Sequence, residues 1–208
     1  MGSSFFAFIS RMKHIRRWGL MRNSCFENVQ EHSHMAAVTA HALAVIRRDV
    51  YGIPCDPNEA AVLALYHDAP EILTGDLPTP VKYHDRHIIS AYRQVEKTAS
   101  EKLTDMLPAE IREAYRPLLF QNANEETLAV VRAADKLSAY IKCIEERKAG
   151  NSEFISAEKQ TLEKLKAMKM PEVEYFLDKF IPAFELTLDE LEPGTAHLQT
   201  AKGRNKPR

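Results

Sequence analysis

The chain has 208 residues, 45% of them hydrophobic and 27% charged, the proportions of an ordinary globular protein with a substantial core. Lys+Arg 28 against Asp+Glu 29 leaves a net charge of −1, which argues against a broad nucleic-acid or membrane-binding surface. Three widely spaced cysteines, Cys25, Cys55 and Cys143, form no CxxC pair, so a reduced, cytoplasmic setting is expected and a cysteine zinc site is not.

Helical periodicity runs through nearly the whole chain. In "MGSSFFAFISRMKHIRRW", Phe5, Phe8, Ile9, Met12 and Ile15 share one face of an amphipathic helix. Its charges follow the apolar part, the reverse of a secretory signal, and Phe6 stands where a myristoylation motif needs Ser or Thr. No apolar run approaches the ~20 residues of a membrane span. Asn28, with Glu31 three residues on, opens a second helix through a capping box, and Val29, His32, Ala36, Ala40, Leu43 and Ile46 recur on its inner face. Asp56 caps a third helix with Pro57 at its first position, and its apolar row Ala60, Leu63, Ala64 ends at His67.

Pro70 either ends that third helix or kinks it, which leaves the direction of Glu71 open. A stiff loop follows, "TGDLPTP", and then helices over 86–106, 108–120, 124–149, 153–168 and 171–190. From Pro193 onward the sequence is small, polar and basic and reads as a disordered tail. The expectation is one all-α domain over 1–192, with 193–208 outside it.

Four polar residues stand where these helices should be apolar: His32, His67, Asp68 and Asp135. Each has a bland explanation alone. His32 could be a satisfied core histidine, His67-Asp68 a chance pair, and Asp135 a surface partner of Arg132 or Lys136. Together, on three helices, they are hard to reconcile with burial unless something cationic compensates them. Two imidazoles and two carboxylates without cysteine suit a divalent ion taking N and O ligands. Adjacent helical residues point about 100° apart, so His67 and Asp68 share one ion only if it lies between their directions. His34, His41, His84 and His87 follow no ligand pattern and read as structural or surface residues.

Other residues stay ambiguous on spacing alone. Arg17 is either a phosphate grip or one of several solvated cations in "HIRRW". Trp18 is either a core anchor or a wall of a site. Glu71 is either a proton-handling group near His67 or a surface acid at a helix end, and Asp76 either a substrate contact or a turn cap.

The segments "RRWGLMRN", "ENVQEHS", "YHDAPEILTGDLPTPVKY" and "AADKLSAYIKCIEE" resemble the bacterial HD-domain 5′-deoxynucleotidases, within the HD metal-dependent phosphohydrolase superfamily. The similarity runs from about Phe5 to Glu190. It implies a helical bundle with its metal site between central helices. His32, His67, Asp68 and Asp135 would hold one divalent ion: Mn, Co or another transition metal, with Mg also admitted. The reaction implied is hydrolysis of deoxyribonucleoside 5′-monophosphates to deoxyribonucleosides and phosphate.

Within that resemblance Arg17 contacts the phosphate, and Trp18 abuts the sugar where a 2′-hydroxyl would sit. Asp76, Leu77, Pro78 and Thr79 contact the substrate, as do His32, Asp68 and Asp135 beside the ion. Arg17, Glu71 and Asp76 carry the catalytic roles. A homodimer is implied; no nucleic-acid polymer and no membrane is expected as a partner. Two rivals stand beside this reading: an HD hydrolase of a triphosphate or signalling nucleotide, and a non-catalytic metal- or nucleotide-binding module. The first should need more cations than Arg17 and Lys82 supply.

Overall fold

The computed structural model describes residues 2–78 and 85–191; Thr79 and the 193–208 tail lie outside the described residues. Among these residues the fold is helical, with one isolated antiparallel bridge between Arg16 and Asn28. The elements are α1 (Phe5–Ile9), α2 (Val29–Val45), α3 (Pro57–Tyr66), α4 (Glu71–Thr74) and α5 (Arg86–Asp105). α6 (Ala109–Leu119), α7 (Glu125–Lys148), α8 (Ile155–Ala167), α9 (Pro171–Lys179) and α10 (Leu188–Leu191) complete them. No helix among them is long and apolar enough to cross a membrane.

The caps read from the sequence are the ones formed. Asn28 accepts from the Glu31 N–H while the Glu31 side chain accepts from the Asn28 N–H, so two otherwise orphaned donors are satisfied at the start of α2. Asp56 accepts from the N–H groups of Asn58 and Glu59 ahead of α3, where Pro57 has no N–H to lose.

The inner face of α2 then buries Val29, His32, Ala36, Ala40, Leu43 and Ile46, every residue of the expected stripe. The small residues on this face and on α3 let α2, α3 and α7 approach closely. Leu43, Leu63, Leu137 and Ile144 fill the space between them. Each such buried side chain contributes roughly 1.5–3 kcal/mol. Phe5 belongs to a second, smaller cluster with Ala69, Leu103, Leu107 and Leu119.

Three expected helices differ in detail. The N-terminal one gives way after Ile9 to a 3₁₀ turn over Ser10–His14, although Phe5 and Met12 stay buried as its periodicity requires. α2 runs into a π-turn over Ile46–Val50. The 171–190 helix is broken into α9, a 3₁₀ turn over Ile181–Glu185, and α10, because Pro182 offers no N–H to continue the ladder.

The C-terminal half of α7 also pins a loop. The buried Glu146 carboxylate accepts the N–H groups of Ser24 (2.8 Å) and Cys25 (3.1 Å), the Lys142 ammonium (2.5 Å) and the Asn151 amide (2.8 Å). Lys142 donates as well to the Cys25 carbonyl, and Asn151 to that of Arg22. Burial alone would raise the Glu146 pKa; the Lys142, Asn151, Ser24 and Cys25 donors reverse this and hold it down at about 2.

A folded-state pKa below the unfolded value means stability that is present above about pH 4.5 and lost as the pH falls through about 2. The advantage of the wild type over Glu146→Gln in urea unfolding is expected to be on the order of 3 kcal/mol near neutrality. It should shrink as the pH drops across that window; a gap independent of pH would contradict the assignment.

Candidate metal centre

The site is assembled where α2, the end of α3 and the middle of α7 meet. His32, one turn into α2, is fully buried. Its Nδ1 lies 3.1 Å from Ser138 Oγ on α7, which fixes the ring so that Nε2 faces inward. His67 is the residue at which α3 ends, and its Nδ1 lies 2.6 Å from the Ala64 carbonyl. A carbonyl can only accept, so Nδ1 carries the proton and Nε2 is the atom left to act as a ligand in the neutral ring.

The two Nε2 atoms share two carboxylates. His32 Nε2 lies 3.2 Å from Asp135 Oδ1 and 3.6 Å from Asp68 Oδ2. His67 Nε2 lies 3.1 Å from Asp68 Oδ2 and 4.0 Å from Asp135 Oδ1. Both Nε2 atoms are buried, yet neither makes a well-directed hydrogen bond among the described residues: they approach the carboxylates without aiming at them.

That is the pattern of donors converging on a common point. Ligands each about 2.1 Å from one ion lie about 3–4 Å apart, which matches the separations here. His32, His67 and Asp135 each offer an atom within 4.8 Å of the others. Asp68 adjoins them through Oδ2, so the residues present fit a divalent ion bound by N and O donors.

Electrostatics supports the same reading. Burial pushes the Asp68 and Asp135 carboxyls up, but the two histidines and Arg17 outweigh it and hold both well below the usual carboxylate range. Burial pushes His67 down, and the Asp68 and Asp135 carboxylates carry it up instead to about 9. In effect the cluster draws in positive charge. Asp135 divides its oxygens: Oδ1 faces the histidines and Oδ2 faces Lys136 Nζ at 3.9 Å. Arg132, the other suggested surface partner, pairs with Glu125.

Arg17 is not one of the solvated cations. Its side chain is 13% exposed, with Nη1 3.3 Å from Asp68 Oδ2 and Nε 3.1 Å from Glu27 Oε2. Burial works against its charge, and Asp68, Glu27, Asp135 and Asp76 in that order more than restore it. The last of these brings Asp76 into the field of the site. Trp18 does not anchor α1; its ring packs on Phe154 (centroids 5.2 Å apart) and its indole N–H donates to Glu27.

The Pro70 ambiguity resolves in favour of a break. α3 ends at Tyr66, a turn spans residues 67–70, and Glu71 is the first residue of the new one-turn helix α4, 6% exposed. An acid is electrostatically favoured at a helix start, and this one is no surface residue at a helix end. Gly75, at φ 71°, closes α4 in a backbone region that a side chain would disfavour, and Asp76, Leu77 and Pro78 follow, each half-buried. His34, His41 and His87 are exposed, and the three cysteines are free. Sequence reasoning missed Glu27 and Glu146: Glu27 lies in the irregular stretch ahead of α2, Glu146 reads as one more charged residue near the end of a helix, and only the folded chain reveals what they hold.

The helical architecture is that of HD-domain phosphohydrolases. It matches such an enzyme from Listeria innocua with a TM-score of 0.75, at 22% identity, over 97% of this chain and 98% of that one. It also matches the cyanophage S-2L HD phosphohydrolase DatZ, solved bound to dA and one catalytic Zn²⁺ ion (TM-score 0.62, 19% identity, 85% and 95% covered).

Sequence comparison is more specific. A family model described as 5′-deoxynucleotidase YfbR-like matches residues 4–184. The 5′-deoxynucleotidase YfbR of Salmonella newport is 50% identical over 91% of this chain and 96% of its own length. The 5′-deoxynucleotidase VP0926 of Vibrio parahaemolyticus is also 50% identical, over 91% and 98%. The chain belongs to the YfbR-like 5′-deoxynucleotidase family.

For the cluster itself the expected outcome is direct. Calorimetric titration of metal-stripped protein should show one equivalent of Mn²⁺ or Co²⁺ bound. Asp135→Asn should weaken this by at least about tenfold, the loss seen when even an outer-shell partner of a metal ligand is removed. Its circular dichroism should stay helical; wild-type affinity would take Asp135 out of the site.

Proposed function

We propose that the protein hydrolyses deoxyribonucleoside 5′-monophosphates to the deoxyribonucleoside and phosphate, using one divalent ion held by His32, His67, Asp68 and Asp135. The observation that carries this reading is the arrival of Arg17 at the same carboxylate that faces both histidines, Asp68 Oδ2. A cation-binding cluster and a planar phosphate-binding cation thus share one edge. An ion bound in the cluster supplies a polarised water and charge neutralisation at a phosphoryl oxygen.

The chain's own residues do the rest. Arg17 uses Nε on Glu27 and Nη1 on Asp68, while its Nη2 makes no hydrogen bond among the described residues and can donate to a phosphate oxygen. Being buried and held at two points, the guanidinium loses little freedom when a phosphate arrives. Glu71 and Asp76 are the carboxylates suited to moving protons. Glu71, buried at the start of α4, can orient or deprotonate the attacking water. Asp76, in the field of Arg17, can in its protonated form donate that proton to the leaving 5′ oxygen and so return to the carboxylate.

The half-buried segment Asp76, Leu77 and Pro78 forms one side of the substrate space in this reading. Trp18 walls the sugar and leaves a 2′-hydroxyl without room or partner, so deoxyribose is favoured. Phe154 behind the ring and Glu27 at its N–H support that role, since a wall discriminates only if it cannot move aside.

Metal-stripped protein incubated with dAMP, AMP and dATP should release phosphate from dAMP once Mn²⁺ or Co²⁺ is added, and faster than from AMP. No metal-stimulated release from dAMP would overturn the proposal, and preferential use of dATP would favour the triphosphate alternative. Trp18→Ala should narrow the dAMP-to-AMP ratio of kcat/KM by about tenfold, the scale of discrimination one steric feature supplies. An unchanged ratio would remove Trp18 from sugar selection.

A further inference from the structure

Glu27 lies ten positions after Arg17, and the loop between them is closed at its base like a clasp. Arg17 N–H donates to the Glu27 carbonyl (3.0 Å) and Val29 N–H to that of Ile15 (2.9 Å), on either side of the Arg16–Asn28 bridge. At the start of this loop Trp18 has φ 58°, in the left-handed region. For a bulky aromatic residue that conformation is an outlier costing on the order of 1–2 kcal/mol. It persists only where surrounding contacts over-determine it.

Those contacts are identifiable. The Trp18 carbonyl accepts from Met21 N–H (2.9 Å) and Asn23 Nδ2 (3.3 Å), and the ring lies against Phe154. The remaining contact is the indole N–H, 2.9 Å from Glu27 Oε2. The same oxygen accepts Arg17 Nε at 3.1 Å. The Glu27 side chain is as buried as Arg17, at 13% exposure each. One carboxylate oxygen therefore fixes two consecutive side chains, one cationic and one flat and apolar.

We infer that Glu27 is the positioning residue of this site: it sets the Arg17 guanidinium and the Trp18 ring as one unit, so phosphate binding and sugar discrimination are mechanically coupled. The inference rests on the reading that Arg17 meets the phosphate and Trp18 the sugar. Neither orientation is fixed by its own stem. The Arg17 stem has many rotamers, and Trp18 sits on a strained backbone that would relax if the indole were released. Glu27 holds both through one atom, with a charge-assisted bond to the guanidinium that is roughly twice as strong as a neutral one.

The two bonds can be separated by substitution. Glu27→Gln keeps a carbonyl oxygen for the indole N–H but removes the charge facing the guanidinium, whereas Glu27→Ala removes both. Trp18 is the only tryptophan of the chain, so its fluorescence reports this position directly. In metal-loaded protein, Glu27→Ala should raise KM for dAMP about 10–100-fold, the cost of a misplaced binding group, with a smaller effect on kcat. It should also lower the dAMP-to-AMP ratio, shift the Trp18 emission to the red and increase its quenching by acrylamide.

Glu27→Gln should raise KM while leaving emission and ratio at wild-type values. Metal content should be unchanged in both. Wild-type KM, ratio and emission in Glu27→Ala would overturn the inference, and so would a wild-type KM in Glu27→Gln if the alanine variant does not fold. If wild-type protein releases no phosphate from dAMP, the substrate reading fails instead. The emission difference between the two variants still decides whether Glu27 fixes Trp18.

Discussion

Two aspartates facing two histidines in the interior of a helical bundle are the constraint on which the rest of the molecule depends. Asp68 and Asp135 come from different elements and are both part-buried, so their adjacent charges call for compensation. The chain answers with Arg17 on one side and the imidazoles on the other. The close approach of α2, α3 and α7, achieved with alanines at Ala36, Ala40, Ala60, Ala64, Ala133 and Ala134, serves this convergence as much as it serves stability. Larger side chains at those positions would fill a core equally well but would hold the histidines and aspartates too far apart to share one cation.

The site is layered outward from that cluster. Ser138 and the Ala64 carbonyl hold the imidazole rings. Arg17 bridges the cluster to Glu27, Glu27 bridges to Trp18, and Trp18 rests on Phe154. Each layer orients the one inside it: Glu27 and Phe154 set Arg17 and Trp18, and Ser138 and the Ala64 carbonyl set the imidazoles. Under the proposed function this is a favourable economy of residues: one carboxylate, Asp68, serves both the ion and the phosphate-binding guanidinium.

Much of this was legible in the sequence, for reasons that can be stated. The caps at Asn28 and Asp56 are local chemistry and need no tertiary context. The inner stripe of α2 follows from a 3.6-residue period, and His32 stood out because it interrupts that stripe with a polar group. Motif resemblance supplied Arg17, Trp18 and Asp76, whose spacing alone was ambiguous. What stayed hidden was the product of contacts distant in sequence. Glu146 reaches residues more than 100 positions away, and a lone acid near the end of a charged helix gives no sign of that. Glu27 reads as an ordinary polar residue ahead of a helix until the loop closes over it. Pro70 and Pro182 are both breakers, but the apolar period over 171–190 runs across Pro182 and hides its effect, and the consequence of Pro70 for Glu71 depends on where the new helix begins.

α7 carries Asp135 at its middle and Glu146 near its end, and Glu146 anchors the loop that bears Arg17 and Trp18. A helix rises about 1.5 Å per residue, so the eleven steps from Asp135 to Glu146 set a span of roughly 16 Å. The helix therefore works as a ruler: its middle registers the His–Asp cluster and its end registers the loop opposite it. Inserting a single residue between them would turn Glu146 by about 100° and withdraw its carboxylate from Ser24 and Cys25. The loop tip around Gly19 and Leu20, exposed and free of such registration, can change length at far less cost, so relatives with altered loops are structurally accessible where relatives with an altered α7 register are not.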